Sequence, residues 1–300
     1  MSGPQGSMSC PLCGAQASLA FLATDRNRGI EAPELRYHRC EACRSLFLDP
    51  VPEDLQRFYP ADYHAHPERD ELDRYARAEA PKLELLGRAV RAGRLLEIGP
   101  GTGLFCRAAV LRGFDTTAIE MDEDCCRYIE AVVGARAIHS NLPEQALAAL
   151  GGFEAIAMWQ VIEHLPDPWA VFEAAAAHLE PGGAIIVGTP NPNALQFRLL
   201  GARWAHLDAP RHLFLISEPA LRAKAAELGL RHVLSTASDP AGRHWNGFGW
   251  EYAIRRHPAK NPSTVLTRGL SLLLTQMVRP IENRGLAGAT YTSLFIRSAT

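Results

Sequence analysis

The 300-residue sequence contains no run of about eighteen apolar residues, so no membrane-spanning helix is expected. It does not open on a charged stretch followed by an apolar one, so no export signal is read either, and the expected location is the cytoplasm. Lysine and arginine form no run, and 31 basic against 33 acidic residues leave a net charge of −2. That balance argues against a nucleic-acid backbone as the main partner. Internal repeats and low-complexity segments are absent as well. What remains, 47% hydrophobic and 21% charged, is the composition of a soluble protein of one large or two small domains.

Cysteine is where the composition becomes specific. Four of the seven form two pairs, Cys10-Pro-Leu-Cys13 and Cys40-Glu-Ala-Cys43, separated by twenty-six residues. Four thiolates at these spacings can close a tetrahedral Zn site of the structural kind. Two disulfides or four free thiols are the alternative, and a reducing compartment disfavours the disulfides. Leu35, Tyr37 and His38 read as a strand entering the second pair, and Ser45 to Leu48 as one leaving it. Residues 8–50 are therefore expected to be a zinc ribbon, too small to hold a core without its metal. Residues 51–74, with Pro52 and Pro60 and the aromatics Phe58, Tyr59 and Tyr63, read as a linker. Cys106, Cys125 and Cys126 fall in helical patterns and read as packing residues.

From residue 94 onward the pattern alternates. Strands are expected at 94–98, 115–119, 135–139, 153–159 and 184–188, helices at 103–112, 123–132, 143–150 and 168–179, and a helical stretch at 72–91 leads in. Two more strands, 231–238 and 290–297, would complete a seven-stranded sheet. This is an α/β arrangement with a parallel sheet wound on both faces, and its ligands bind at the carboxyl ends of the strands.

The first strand ends in Glu97-Ile98-Gly99-Pro100-Gly101-Thr102-Gly103. Three glycines at alternate positions mark a tight turn that approaches a ligand. The dinucleotide pattern G-x-G-x-x-G would need glycine at position 104, where the chain has Leu104. The spacing instead resembles the first motif of class I S-adenosylmethionine (SAM) dependent methyltransferases. That resemblance implies that the turn approaches the methionine part of SAM and that Glu97 supports the turn and the ammonium group. Glu120, twenty-one residues after Gly99, can accept hydrogen bonds from both ribose hydroxyls, with Met121 beside it. Asn141 and Leu142 follow the third strand, where the family reads adenine; a helix N-cap explains Asn141 equally well.

The fourth strand runs into Trp159-Gln160-Val161-Ile162-Glu163-His164-Leu165-Pro166-Asp167-Pro168, which resembles the ubiquinone-biosynthesis-like O-methyltransferases. Leu179 to Gly183, Thr189-Pro190-Asn191 and Asp208 to His212 extend the likeness. Gln160 departs from it, because quinone enzymes that bind a divalent metal tend to have Glu there, followed by residues matching Glu163 and His164. Gln160 is read with the cofactor-facing residues. The four-cysteine segment also resembles that of sugar C-methyltransferases acting on nucleotide-linked sugars. A seven-stranded Rossmann-like methyltransferase fold over residues 75–300, with the ribbon ahead of it, is what these resemblances imply.

Methyl transfer from a sulfonium requires alignment and removal of a proton from the acceptor, and histidine suits the second task. His164 leaves the fourth strand, whereas His212 lies on the lid after the fifth, with Trp204, His206 and Asp208. The lid is better placed to touch an acceptor, which makes His212 the base and His164 a positioning residue. Residues 243–288 read as a helical insertion. In it Leu266, Leu270, Leu273, Leu274 and Met277 recur at helical spacing, as a core seam, a homodimer contact, a substrate cap or a membrane contact. The aromatic group from His244 to Tyr252 before it either lines an acceptor pocket or packs the insertion. The expected activity is O-methylation of a sugar or natural-product hydroxyl. C- or N-methylation of a nucleotide-linked sugar, methylation of RNA, and a non-catalytic SAM-binding module are the alternatives.

Overall fold

The computed structural model describes residues 8–60, 65–255 and 261–299, so Tyr63 of the aromatic linker lies outside the described residues. Met8–Ser9 (β1), Gln16–Ala23 (β2), Leu35–Cys40 (β3) and Leu46–Leu48 (β4) form an antiparallel meander. Periodicity misses β2 for a physical reason. Its large apolar residues Leu19 and Leu22 are exposed while Ala17 and Ala23 are buried, and the register shifts between Leu19 and Phe21, so the expected alternation is broken.

The lead-in helix is two helices, Arg69–Ala78 (α1) and Ala80–Leu86 (α2). Pro81, in the first turn of α2, has no amide to continue the ladder of α1. The alternating region then follows as Arg94–Ile98 (β5), Leu104–Leu111 (α3), Asp115–Glu120 (β6), Glu123–Tyr128 (α4), Arg136–His139 (β7), Pro143–Leu147 (α5), Phe153–Trp159 (β8), Pro168–Ala177 (α6) and Leu179–Pro190 (β9). Leu195–Leu200 (α7), Phe214–Leu215 (β10), Glu218–Glu227 (α8), Leu230–Thr236 (β11), Pro240–Arg255 (α9), Val265–Glu282 (α10) and Thr290–Arg297 (β12) complete the chain.

The main sheet has seven strands in the order β11-β12-β9-β8-β5-β6-β7. Only β12 is paired antiparallel to both of its neighbours; the five strands from β9 to β7 are mutually parallel. Helices cover both faces, so Leu95, Leu96 and Ile98 of β5 and Ala155, Ile156, Ala157 and Met158 of β8 are buried without alternation. β6 follows β5 on one side and β8 flanks it on the other, which opens a crevice at their carboxyl ends. The glycine turn leaves β5 at that crevice.

The ribbon does not stand apart. β10 pairs with β4, the amide of Leu48 donates to the Leu213 carbonyl, and Leu35, Tyr37 and Leu46 share one apolar core with Leu207, Leu215 and Ile216. A segment of this size has too little surface to bury alone, and the lid supplies the missing side. The insertion is two packed helices, α9 and α10. No helix among the described residues is long and apolar enough to cross a membrane.

Candidate functional site

All three glycines of the turn have left-handed backbone, with φ of +65° at Gly99, +55° at Gly101 and +73° at Gly103. Packing also constrains two of them. A Cβ on Gly99 would lie 2.6 Å from Val161 Cγ2, and one on Gly103 would lie 3.0 Å from Ile129 Cγ1. Glu120 holds the turn in place: Oε2 accepts from the Gly101 amide at 2.9 Å, and Oε1 accepts from the amides of Met121 at 2.7 Å and Asp122 at 2.9 Å. A carboxylate offers about four lone-pair positions, so one stays free for a ligand hydroxyl. The buried carboxyl of Glu97, on β5 just before the turn, accepts from the Cys106 thiol at 2.9 Å. Burial pushes it up to about 7, opposed by that hydrogen bond and by the charge of Lys82.

Met121 and Leu142 project from the ends of β6 and β7 with 54% and 44% exposure, an apolar pair left for a ligand to cover. The Nε2 of His139 and the Met121 carbonyl, 3.0 Å apart, tie the two loops together. Asn141 is exposed and caps nothing: α5 begins at Pro143 with Leu142 at its cap, and the Leu142 amide donates to Ser140 Oγ at 3.1 Å. Gln160 has φ of +56°, and its amide donates to the Gly188 carbonyl. Next to it, the buried Trp159 Nε1 has no hydrogen-bond partner. A free lone pair on Glu120 and two uncovered apolar side chains at the carboxyl ends of neighbouring strands fit a ligand that is part polar and part flat and apolar.

Across the crevice His164 and His212 meet edge to face with ring centres 4.6 Å apart. His164 Nδ1 lies 3.0 Å from the Arg211 carbonyl and 3.1 Å from the Tyr59 hydroxyl, and His212 Nδ1 lies 2.9 Å from the His206 carbonyl. A carbonyl only accepts, so Nδ1 carries the proton in both rings and Nε2 keeps the lone pair. His212 is 7% exposed, and His164 is the more open of the two. Burial lowers the pKa of both, that of His212 to about 3 with further lowering by His164. Glu163 is fully buried and pushed up to about 8 by burial; its Oε2 accepts from the Thr189 hydroxyl, while its unpartnered Oε1 lies 4.0 Å from His212 Nε2. Half-buried Trp245 and Phe248 of α9 meet His206 edge-on or tilted, and Tyr252 meets Phe248, which together make an aromatic wall. Asn246 and Trp250 from the same stretch instead pack the insertion: Asn246 Oδ1 accepts from the Ala289 amide and Trp250 Nε1 donates to Glu282.

Sequence reasoning missed how the ribbon holds this lid. Arg211 is wholly buried, with Nη2 at 2.8 Å from Asp25 and at 2.7 Å from Asp208. Against the upward push of burial, the Arg211 guanidinium holds Asp208 down to about 2. The Tyr37 hydroxyl donates to the His212 carbonyl at 2.7 Å, and Asn27 Nδ2 donates to the Ala205 carbonyl at 2.9 Å. Asp25 sits in Thr-Asp-Arg-Asn-Arg-Gly, which carries only turn signals, so no periodicity or spacing points to its partner.

The four paired cysteines bring their sulfurs within 4.8 Å of one another. Cys10 and Cys43 are 3.9 Å apart and Cys13 and Cys40 3.4 Å, against an edge of about 3.8 Å for a tetrahedron with Zn–S bonds of about 2.3 Å. The Cys43 amide donates to Cys40 Sγ, and a left-handed residue, Gly14 or Arg44, follows each pair. The hydrogen bond between Cys10 and Cys43 lowers the pKa of the Cys43 thiol and raises that of Cys10. All four sulfurs are free of disulfides, and the donor set fits Zn. Metal analysis is expected to find about one zinc per chain, lost together with native melting when Cys40 and Cys43 become Ser. A natively folded, metal-free wild type would contradict this.

A family model described as a methyltransferase domain matches residues 69–235. The ubiquinone biosynthesis O-methyltransferase of Xanthomonas campestris pv. campestris is 28% identical over 165 residues, covering 51% of this chain and 69% of that protein. The protein of the same description from Psychrobacter arcticus is 29% identical over 189 residues, covering 57% and 69%. In the solved structure of an O-methyltransferase family protein from Burkholderia thailandensis, the same fold superposes with a TM-score of 0.50 at 15% identity, over 82% of this chain and 63% of that one.

Proposed function

Because the chain belongs to this methyltransferase-domain family and is a SAM-dependent methyltransferase, we propose that it methylates a hydroxyl oxygen of a small acceptor of the sugar or natural-product class. SAM, when bound, supplies a methyl group on a sulfonium, an already activated carbon. In this reading Gly99, Gly101 and Gly103 shape the turn beneath its methionine part, Glu97 faces the ammonium, and Glu120 accepts from the ribose. Met121, Asn141 and Leu142 flank the adenine, and Gln160 closes the end towards the acceptor.

The observation that carries the oxygen assignment is the pair of neutral imidazoles with Nε2 lone pairs free, beside a half-buried aromatic wall. A hydroxyl needs its proton removed as the methyl arrives, and a neutral histidine within reach accepts it. The exposures favour His164 as the group that meets the acceptor and His212 as the residue behind it, the reverse of the order suggested by the lid position alone. The names of the O-methyltransferase relatives agree with an oxygen acceptor. The four-cysteine ribbon favours a second reading, C- or N-methylation of a nucleotide-linked sugar. Incubation with methyl-labelled SAM over sugars, phenols and RNA tests the proposal: label on a small hydroxylated compound is expected, and label on RNA alone would refute it.

Glu97 gives the cofactor a pH signature. With its pKa raised to about 7 by burial, the carboxyl is partly neutral at pH 7, and a bound ammonium favours the ionised form. SAM affinity is therefore expected to fall as pH drops through about 7, and to fall again as an amino group of ordinary pKa about 7.7–8.0 loses its proton. Titrations across this range should lose the acid limb in Glu97→Gln. An unchanged profile would remove Glu97 from the ammonium site.

A further inference from the structure

Helix α10 is anchored on its inner side by polar groups set among the half-buried Leu274 and Val278: Ser271 and Glu282 are buried, Ser271 Oγ donates to the Gly247 carbonyl at 3.2 Å, and Glu282 Oε1 accepts from Gln196 Nε2 at 3.0 Å and Trp250 Nε1 at 2.9 Å. Its outer side is apolar, with Leu266 exposed by 72%, Leu270 by 46%, Leu273 by 65%, Met277 by 78% and Ile281 by 52%. The polar anchors fix this orientation, so the stripe cannot turn inward without stripping Glu282 of both donors. Monomeric proteins rarely leave a contiguous apolar patch of more than a few hundred Å² in water.

We propose that α10 pairs with α10 of a second copy of this chain, antiparallel about a two-fold axis near Leu273. Three observations select this occupant. First, the spacing from Leu266 through Leu270 and Leu273 to Met277 is four, three, four, the heptad spacing at which knobs of one helix enter holes of another. Second, the stripe carries no charge, so two identical copies meet without like-charge repulsion, as an isologous contact requires. By the 3.6-residue turn Arg268 and Arg279 stand opposite Leu266 and Met277, exposed next to Leu272, which is itself 65% exposed. Third, five side chains this exposed offer on the order of 600 Å² on each copy, within reach of the roughly 800 Å² per partner of a standard interface. Antiparallel pairing also opposes the two helix dipoles.

Sedimentation of the full chain tests this. The wild type is expected to be a dimer, and Leu273→Glu and Leu273→Lys are each expected to be monomers with SAM affinity unchanged, because α10 lies outside the cofactor crevice. Near the axis each variant places a charge against its own copy. An equimolar mixture of the two is therefore expected to restore the dimer, which also shows that both variants fold. A wild type that stays monomeric at all concentrations, or a dimer that survives both substitutions, would overturn the proposal. So would a monomer that co-sediments with phosphatidylglycerol vesicles through this stripe, since that outcome gives the surface to lipid.

Discussion

Asp25→Ala is expected to cost about 2–3 kcal/mol of stability, because Arg211 keeps Asp208 but its guanidinium donors towards Asp25 and the Arg28 amide lose their acceptor. Both side chains are fully shielded from water, so solvent cannot replace the lost partner. Asp25→Asn keeps the shape and some hydrogen bonding without the charge and should fall between the two. The damage should also reach activity. The lid that carries His212 is held from the ribbon by Arg211 and by the Tyr37 hydroxyl on the His212 carbonyl, so loosening one anchor lets the imidazole drift. Asp208 in the same cluster has its carboxyl held down to about 2. Its contribution to stability is present above the ordinary carboxylate pKa of about 3.9 and is lost as pH falls towards about 2. Denaturant melts of the variants measure the first effect, and a loss below about 1 kcal/mol for Asp25→Ala would mean that the cluster is not the lock described.

His164→Ala is expected to lower kcat by about a hundredfold or more with SAM affinity near that of the wild type, the pattern of a group needed only as the acceptor loses its proton. His212→Ala should cost less if it acts through His164, whose ring it touches edge-on. The size of both effects depends on the acceptor. A phenol that ionises readily can react through proximity alone, whereas a sugar hydroxyl needs the base. Steady-state kinetics with the acceptor found by the labelling screen decide this. Full activity in both single variants and the double variant would remove histidine from the mechanism.

Much of this molecule is legible in its sequence, because strands buried on both faces announce themselves as short apolar runs and glycines announce tight turns. β5, β6, β8 and β12 are expected within a residue or so of where they occur. The four cysteines declare their cluster by spacing alone. What is not legible depends on long-range contact. β2 hides because two of its leucines face water, and β10 is only two residues long, a strand solely by virtue of β4 beside it. The Asp25–Arg211 pair joins residues 186 apart with no pattern at either end. The glycine turn answers to two demands at once: three glycines suggest a ligand, and Val161 and Ile129 leave no room for a Cβ at Gly99 and Gly103. The stripe on α10 is visible as a period, but only the buried Ser271 and Glu282 show which way it faces.

The measurement closest to the central claim is calorimetric titration of the wild type and Gly101→Val with SAM and, separately, with NADH. Gly101 is at the middle of the turn with φ of +55°, and its amide is latched to Glu120, so a branched side chain there strains the backbone and, in the proposed reading, meets the cofactor. SAM is expected to bind the wild type and to bind Gly101→Val far more weakly, with no heat from NADH for either protein. Binding of NADH with no binding of SAM would leave the fold intact and contradict the function.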